Sequence, residues 1–193
     1  MRKIIFASNN EAKIKEVRAI LGERFDIKSM KEVGLDLLIE ETGTTFEENA
    51  NIKARTVYDV LKMPVIADDS GLEVEFLKGE PGVNTASYCE YGNAEKNNQK
   101  LINNLKGVYN RDAKFVCVIV YIDEKGESHI VREYTEGRIL HEEAGTNGFA
   151  YDPIFYSYEL EKTFGQASEK EKNQVSHRAK ALIKLYRRVL CQA

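Results

Sequence analysis

The sequence has few cysteines, no long apolar run and almost no excess of charge, and each shortage excludes a class of protein. Cys89, Cys117 and Cys191 are odd in number and include no Cys-x-x-Cys pair, so neither a disulfide framework nor a zinc site is expected. Cys117 lies inside an apolar run and reads as a small buried hydrophobe. No apolar stretch approaches the ~18 residues that a membrane span needs. The N-terminal ten residues hold too few apolar side chains for a signal-peptide core of ~7–15 residues, so a cytoplasmic location is expected. No Gly-x-x-x-x-Gly-Lys-[Ser/Thr] sequence is present, which excludes a Walker-type phosphate loop. There is also no Gly-x-Ser-x-Gly, and no cysteine is placed as a nucleophile, so a covalent mechanism is not expected. Lys plus Arg is 28 and Asp plus Glu is 31, a net charge of −3 that argues against long nucleic acids as partners. Internal repeats, low-complexity tracts and linkers are likewise lacking, and 193 residues suit a single domain spanning 1–193.

What is present reads as alternating strands and helices. Lys3 to Ala7 is a short buried strand, closed by Ser8-Asn9-Asn10, residues that favour helix caps and turns. Ile14, Val17, Ile20 and Leu21 fall at helical spacing and predict a helix over Glu11–Leu21. Phe25 to Met30 alternates as a strand, and a long helix follows from about Phe46 to Lys62. Val65-Ile66-Ala67 is expected as a short strand ending at Asp68-Asp69-Ser70-Gly71, with another strand through Leu72, Val74 and Phe76. Ala94 to Leu105 looks helical. Phe115 to Ile122 and Ile130 to Ile139 pair as a hairpin across Asp123–Ser128, and a last helix begins near Ser176. The expected class is α/β with a mixed sheet.

Several short segments carry possible chemistry, each with a plainer alternative. Ser8-Asn9-Asn10 opens a helix whose free N–H groups suit phosphate, and Lys13 in the first turn is misplaced for the helix dipole unless an anion sits nearby. The alternative is simple capping, with Glu11 offsetting Lys13. Asp68 and Asp69 would repel each other at a strand end, and a divalent cation relieves that repulsion. Adjacent strand residues point to opposite faces, so only one carboxylate is expected to reach a given metal. The alternative is that Asp, Ser and Gly merely form a turn. Glu40 and Glu41 form a second acidic pair before a helix, where acids are favoured anyway. Lys53 lies two turns into that helix, where a solvated lysine is the plainer reading. Phe149 and Tyr151, in a loop with Gly148 and Asp152-Pro153, could stack on a nucleobase or pack locally. His177 and Arg178 put two cations in a first turn, with Lys172 just upstream.

The order of these segments is informative. Ser8-Asn9-Asn10-Glu11-Ala12-Lys13-Ile14-Lys15-Glu16 resembles the opening block of the inosine triphosphate pyrophosphatase family. Glu41-Thr42-Gly43-Thr44-Thr45-Phe46-Glu47-Glu48-Asn49-Ala50-Asn51-Ile52-Lys53-Ala54 is similar to its second block. Ala67-Asp68-Asp69-Ser70-Gly71-Leu72-Glu73-Val74 with Gly79-Glu80-Pro81-Gly82 is similar to the third. Gly148-Phe149-Ala150-Tyr151-Asp152-Pro153-Ile154-Phe155 and Ser176-His177-Arg178 match the fourth and fifth. The likeness runs from Ile4 to Leu182. Two positions depart from it: Asn9 and Ala150 each stand where the family commonly has glycine.

The resemblance implies an elongated α/β fold, with a long twisted mixed β-sheet and flanking helices forming two lobes around a central nucleotide cleft, in a homodimer. It implies hydrolysis of ITP, dITP and XTP to the monophosphate and pyrophosphate, cleansing the nucleotide pool. Ser8, Asn9, Asn10 and Lys13 would hold the triphosphate, with Lys53 and Lys172 adding positive charge and Ser70 in the same substrate-binding set. Glu40, Glu41, Asp68 and Asp69 would organise Mg²⁺, or Mn²⁺ in its place, and Asp69 would be the general base. Phe149, Ala150, Tyr151 and Asp152 would sandwich the base while His177 and Arg178 read its edge. A related enzyme acting on pyrimidine or modified nucleotides, a non-hydrolysing nucleotide-binding module and an RNA-binding protein are the competing readings.

Overall fold

A computed structural model describes residues 1–192; the expected domain of residues 1–193 ends in Ala193, which lies outside them. Strands β1 (Arg2–Phe6), β2 (Phe25–Ser29), β3 (Val65–Val74), β4 (Asp112–Ile122), β5 (Ser128–Ile139), β6 (Phe155–Ser157) and β7 (Lys162–Thr163) bond in the order β2-β1-β3-β4-β5-β6-β7. β1 runs parallel to β2 and β3, whereas β5, β6 and β7 pair antiparallel, so the sheet is mixed as expected. Helices α1 (Glu11–Leu21), α2 (Phe46–Leu61), α3 (Ala94–Asn104), α4 (Glu169–Val175) and α5 (His177–Arg188) flank it. Among the described residues, no helix is long and apolar enough to cross a membrane.

The chain divides into two compact units. The first comprises residues 1–69, 117–133 and 178–192, the second residues 70–116 and 134–177. In the first unit, Ile4, Phe6 and Ile66 share one sheet face with Ile14, Val17 and Leu21 of α1 and Ala181, Leu182 and Leu185 of α5. That parity matters for the site, because alternate strand residues line one face. The helices are held at their starts by local chemistry. Asn10 caps α1 by accepting from the Lys13 N–H, and Thr45 and Glu48 close a capping box on α2. The second unit has its own core of Leu72, Val74, Leu101, Phe115, Ile139, Phe155 and Phe164.

One expectation needs correcting. Asp68-Asp69-Ser70-Gly71 is not a turn at a strand end; it lies in the middle of the ten-residue β3. The turn-forming tendency of these residues is local and weak. β3 lies between β1 and β4 in the sheet, β1 pairing with its first residues Val65 and Ile66, and the extended course through residues 68–71 belongs to the sheet and not to the local sequence. The last helix begins at His177, next to the start expected near Ser176, and a further short helix, α4, precedes it, started by Ser168 and Glu171 as a capping box and ending at Val175.

Candidate active site

The first unit gathers acids and cations around β3. Asp68 has the parity of Ile66 and meets α1 and α5: Lys13 Nζ lies 3.2 Å from Oδ1 and 3.1 Å from Oδ2, and Arg178 Nε and Nη2 lie 3.1 and 3.0 Å from Oδ2. Arg178 also pairs through Nη1 with Glu16 of α1. Burial alone would raise the Asp68 pKa, but Lys13, Arg178 and Lys53 outweigh it and hold the carboxyl well below its ordinary value. Arg178 is 1% exposed; burial pushes its pKa down, and Asp68 and Glu16 more than reverse that. The position of Lys13 thus has a structural explanation. Its ammonium is turned away from the helix dipole onto a buried carboxylate.

Asp69, one residue on, meets a different partner. Lys53 of α2 places Nζ 3.0 Å from Glu41 Oε1 and 3.8 Å from Asp69 Oδ1. Lys53 is buried, and burial pulls its pKa down while Asp68, Asp69 and Glu41 pull it up to a net increase. Asp69 goes the other way from Asp68. Burial raises it, Lys53 opposes, Glu41 and Asp68 add repulsion, and the carboxyl is pushed up to about 6. The segment bearing Glu41 is tied to α2 by Gly43, whose N–H donates to Asn49 Oδ1 at 2.8 Å. A Cβ on Gly43 would meet that oxygen at 2.7 Å, so glycine permits the approach.

At the head of α1, Ser8 Oγ accepts from the Asn10 N–H at 3.1 Å and Asn10 Oδ1 accepts from the Lys13 N–H at 3.2 Å. Asn9 is exposed and does not take a positive φ, so standing where glycine is common costs it no backbone strain.

The second unit carries the other expected residues. Asp152 Oδ2 accepts from Lys172 Nζ at 2.8 Å and from the Phe149 N–H at 2.8 Å, and both charged groups are buried. Lys172 Nζ also lies 4.7 Å from the Phe149 ring centre and 5.6 Å from that of Phe164, a cation–π arrangement. Gly148 has φ +76°, and a Cβ there would meet Asp152 Oδ2 at 2.0 Å, so this turn requires glycine. Ala150 takes φ +54°, a left-handed conformation that costs a residue with a Cβ roughly 1–2 kcal/mol. Tyr151 is buried in the core, with its hydroxyl donating to Thr85 O at 2.8 Å. Ser70 is half-buried in β3. His177 lies flat on Phe115, with ring centres 4.8 Å apart and planes 11° off parallel.

The sequence reading grouped Lys172 with Lys13 and Lys53, and Arg178 with His177. The structure pairs Lys172 with Asp152 in the second unit and Arg178 with Asp68 and Glu16 in the first. Glu40 is exposed beside Glu41, which alone of the two bonds Lys53. Among the described residues, the tight acidic and histidine grouping lies elsewhere, at Asp123, Glu127 and His129. There Asp123 Oδ1 accepts the Lys125 and Glu127 N–H groups at 2.9 Å each, so the cluster braces the β4–β5 turn. Glu16, Asn98, Phe115 and Phe164 were not singled out from sequence. Glu16 had a signal, since it lies three residues from Lys13 on one helix face.

A mixed α/β sheet with these five blocks in place is a family architecture, and the chain belongs to the Ham1 family, whose model matches residues 4–188. Among curated proteins it is 45% identical to the dITP/XTP pyrophosphatase of Clostridium perfringens, covering 96% of each chain. It is also 45% identical to that of Bacillus licheniformis, again over 96% of both. Among solved structures, the Ham1 protein of Staphylococcus aureus superposes with a TM-score of 0.89 at 40% identity, covering 100% of both chains. A HAM1 protein from Coxiella burnetii matches equally at 0.89, with 36% identity and 100% coverage of both.

Proposed function

We propose that this protein hydrolyses non-standard purine nucleoside triphosphates (ITP, dITP and XTP) to the monophosphate and pyrophosphate. The observation that carries the reading is geometric: the buried Asp69 carboxyl and Glu41 converge on the Lys53 ammonium, at 3.8 and 3.0 Å, and burial raises the Asp69 pKa. A general base works best with a pKa near the working pH, and a solvated aspartate is too weak for that role. The naming of several relatives as dITP/XTP pyrophosphatases supports the same activity.

The chemistry assigned to each residue follows. Lys13, Lys53 and the N–H groups of Ser8 to Asn10 neutralise and orient the triphosphate. Asp69 takes a proton from the attacking water, whose oxygen bonds the α-phosphorus while the bond to the bridging oxygen breaks and pyrophosphate leaves. Glu41 and Asp69 would hold a divalent cation, Mg²⁺ first and Mn²⁺ as substitute. Their donors are all oxygen, they turn to one cationic group already, and mutual repulsion contributes to the raised Asp69 pKa. When bound, the metal supplies further neutralisation of phosphoryl charge. Phe149 offers the base a π-face, and His177 and loop N–H groups suit the 6-keto acceptor of hypoxanthine and xanthine. A site built to bond one group can reject an analogue lacking it by up to ~10⁴–10⁵.

The test is pyrophosphate release with Mg²⁺ from ITP, dITP and XTP against ATP. A kcat/KM preference of at least about 100-fold for the 6-keto substrates is expected. Equal turnover of ATP and ITP overturns the specificity, and no pyrophosphate from any of them overturns the activity. The full chain is taken to act as one catalytic domain, in the cytoplasm and as a homodimer, which light scattering of the purified protein and cell fractionation check.

A further inference from the structure

Asn98 sits in α3 of the second unit and is 3% exposed. Its Nδ2 donates to Ala150 O at 3.2 Å and to Glu143 Oε1 at 2.9 Å. Both partners are acceptors, so the amide has one possible orientation. The other end of the same side chain is different. Asn98 Oδ1 is buried with no hydrogen-bond partner among the described residues. An unpaired buried acceptor destabilises a fold, whereas an apolar side chain of the same shape would fill the space without that loss. Packing alone therefore gives no reason for asparagine here; a reason exists only in what Nδ2 holds.

What it holds is the carbonyl of the left-handed Ala150. Residues 149 and 152 flank that carbonyl and are joined to each other twice, by the Asp152 N–H on Phe149 O at 3.1 Å and the Phe149 N–H on Asp152 Oδ2 at 2.8 Å. If Ala150 relaxes to an unstrained φ, the peptide after it rotates and this closed turn opens. A glycine at position 150 would need no such restraint. We infer that Asn98 is a positioning residue for the base-binding loop, holding Ala150 in its left-handed conformation so that Phe149 and Asp152 are set before the nucleotide arrives. This inference rests on the purine-triphosphate reading above, since it deepens the role given to the loop.

The test compares Asn98→Leu, Ala150→Gly and the double variant. Loss of one restraining hydrogen bond is expected to raise the KM for ITP roughly three- to tenfold in Asn98→Leu. The kcat should stay within about twofold, because the loop touches the base and not the reacting phosphorus. Asn98→Leu strands the Ala150 carbonyl and Glu143 as it relieves the buried Oδ1, so its melting temperature should stay within about 4 °C of the parent and the protein is fully folded where KM is read. In the Ala150→Gly background, Asn98→Leu should change KM by less than about twofold, because the strain it restrained is gone. Should Asn98→Leu fail to fold, Asn98→Ala removes the donor without placing a charge beside Glu143 and is expected to give the same KM increase.

An unchanged KM, a KM rise of the same size in both backgrounds, or a rise that only follows loss of melting temperature overturns the inference. The parent protein separates this from the function itself. If the parent hydrolyses ITP and the variants match it, the positioning role alone fails. If the parent releases no pyrophosphate, the activity reading fails, and the ITP dissociation constants of parent and Asn98→Leu, measured by calorimetry, decide the positioning role. Absence of ITP binding in the parent overturns both.

Discussion

Lys53 Nζ stands 3.8 Å from Asp69 Oδ1, yet the Asp69 carboxyl remains raised to about 6, because burial and the neighbouring acids outweigh the Lys53 and Lys13 ammonium groups. The folded state therefore prefers Asp69 protonated. Its contribution to stability is complete below the ordinary carboxyl pKa and is lost as pH rises through about 6. Asp69→Asn should accordingly stabilise the metal-free protein at pH 8 by on the order of 1–3 kcal/mol and leave it unchanged at pH 4. Urea unfolding in the presence of a chelator reads both. The same variant should lose pyrophosphate release by several orders of magnitude, and wild-type-like turnover would remove Asp69 from the base role.

Asp68 is expected to behave in the opposite way. Its pKa is lowered, so the stability it contributes is present above the ordinary carboxyl pKa and is lost only in strong acid. Arg178→Met leaves Asp68 and Glu16 without their shared guanidinium and should cost about 3–5 kcal/mol at neutral pH. Arg178→Lys keeps the charge but not the fork, and should cost less. Denaturant midpoints for the two variants test the order.

The buried pair of Asp152 and Lys172 predicts a coupled cycle. Lys172→Met strands a buried carboxylate and should destabilise by about 3–5 kcal/mol, whereas adding Asp152→Asn should recover part of that loss. Additive losses in thermal unfolding would contradict the pairing.

Ala150→Gly relieves a left-handed alanine at the cost of a more flexible unfolded chain. The balance should favour the variant by about 0.5–1 kcal/mol, which is a rise of roughly 1–4 °C in melting temperature for a chain of this size. A fall in melting temperature would show that the position carries no strain.

The periodic helix α1 was readable from sequence at both ends, because its apolar spacing and its Asn10 cap are local signals. The five blocks also contain Asp68, Asp69, Lys53 and Asp152, which the fold places in buried ion pairs. What escaped was non-local. Asp68 to Gly71 looked like a turn because strand partners cannot be read from four residues, and β3 stays extended through neighbours far away in sequence. Arg178 and Glu16 are 162 positions apart, so nothing near Ser176 announces the pair. The short α4 was different, since Ser168 and Glu171 spelled its capping box and went unread.

The alternation of β3 carries a last consequence. Two chemically identical neighbours, Asp68 and Asp69, are shifted to opposite sides of the ordinary aspartate value: burial raises both, but Lys13 and Arg178 reverse it at Asp68, whereas at Asp69 Glu41 adds to it and Lys53 does not overcome it. Their identities belong to the sheet and not to the residues. A slip of β3 by one position would leave one of the two places without a carboxylate, with Ala67 facing Lys13 and Arg178 or Ser70 facing Lys53 and Glu41. The register of this strand is thus under chemical as well as structural constraint, and an insertion or deletion of one residue between Val65 and Asp68 should abolish turnover even where the hydrophobic face is restored.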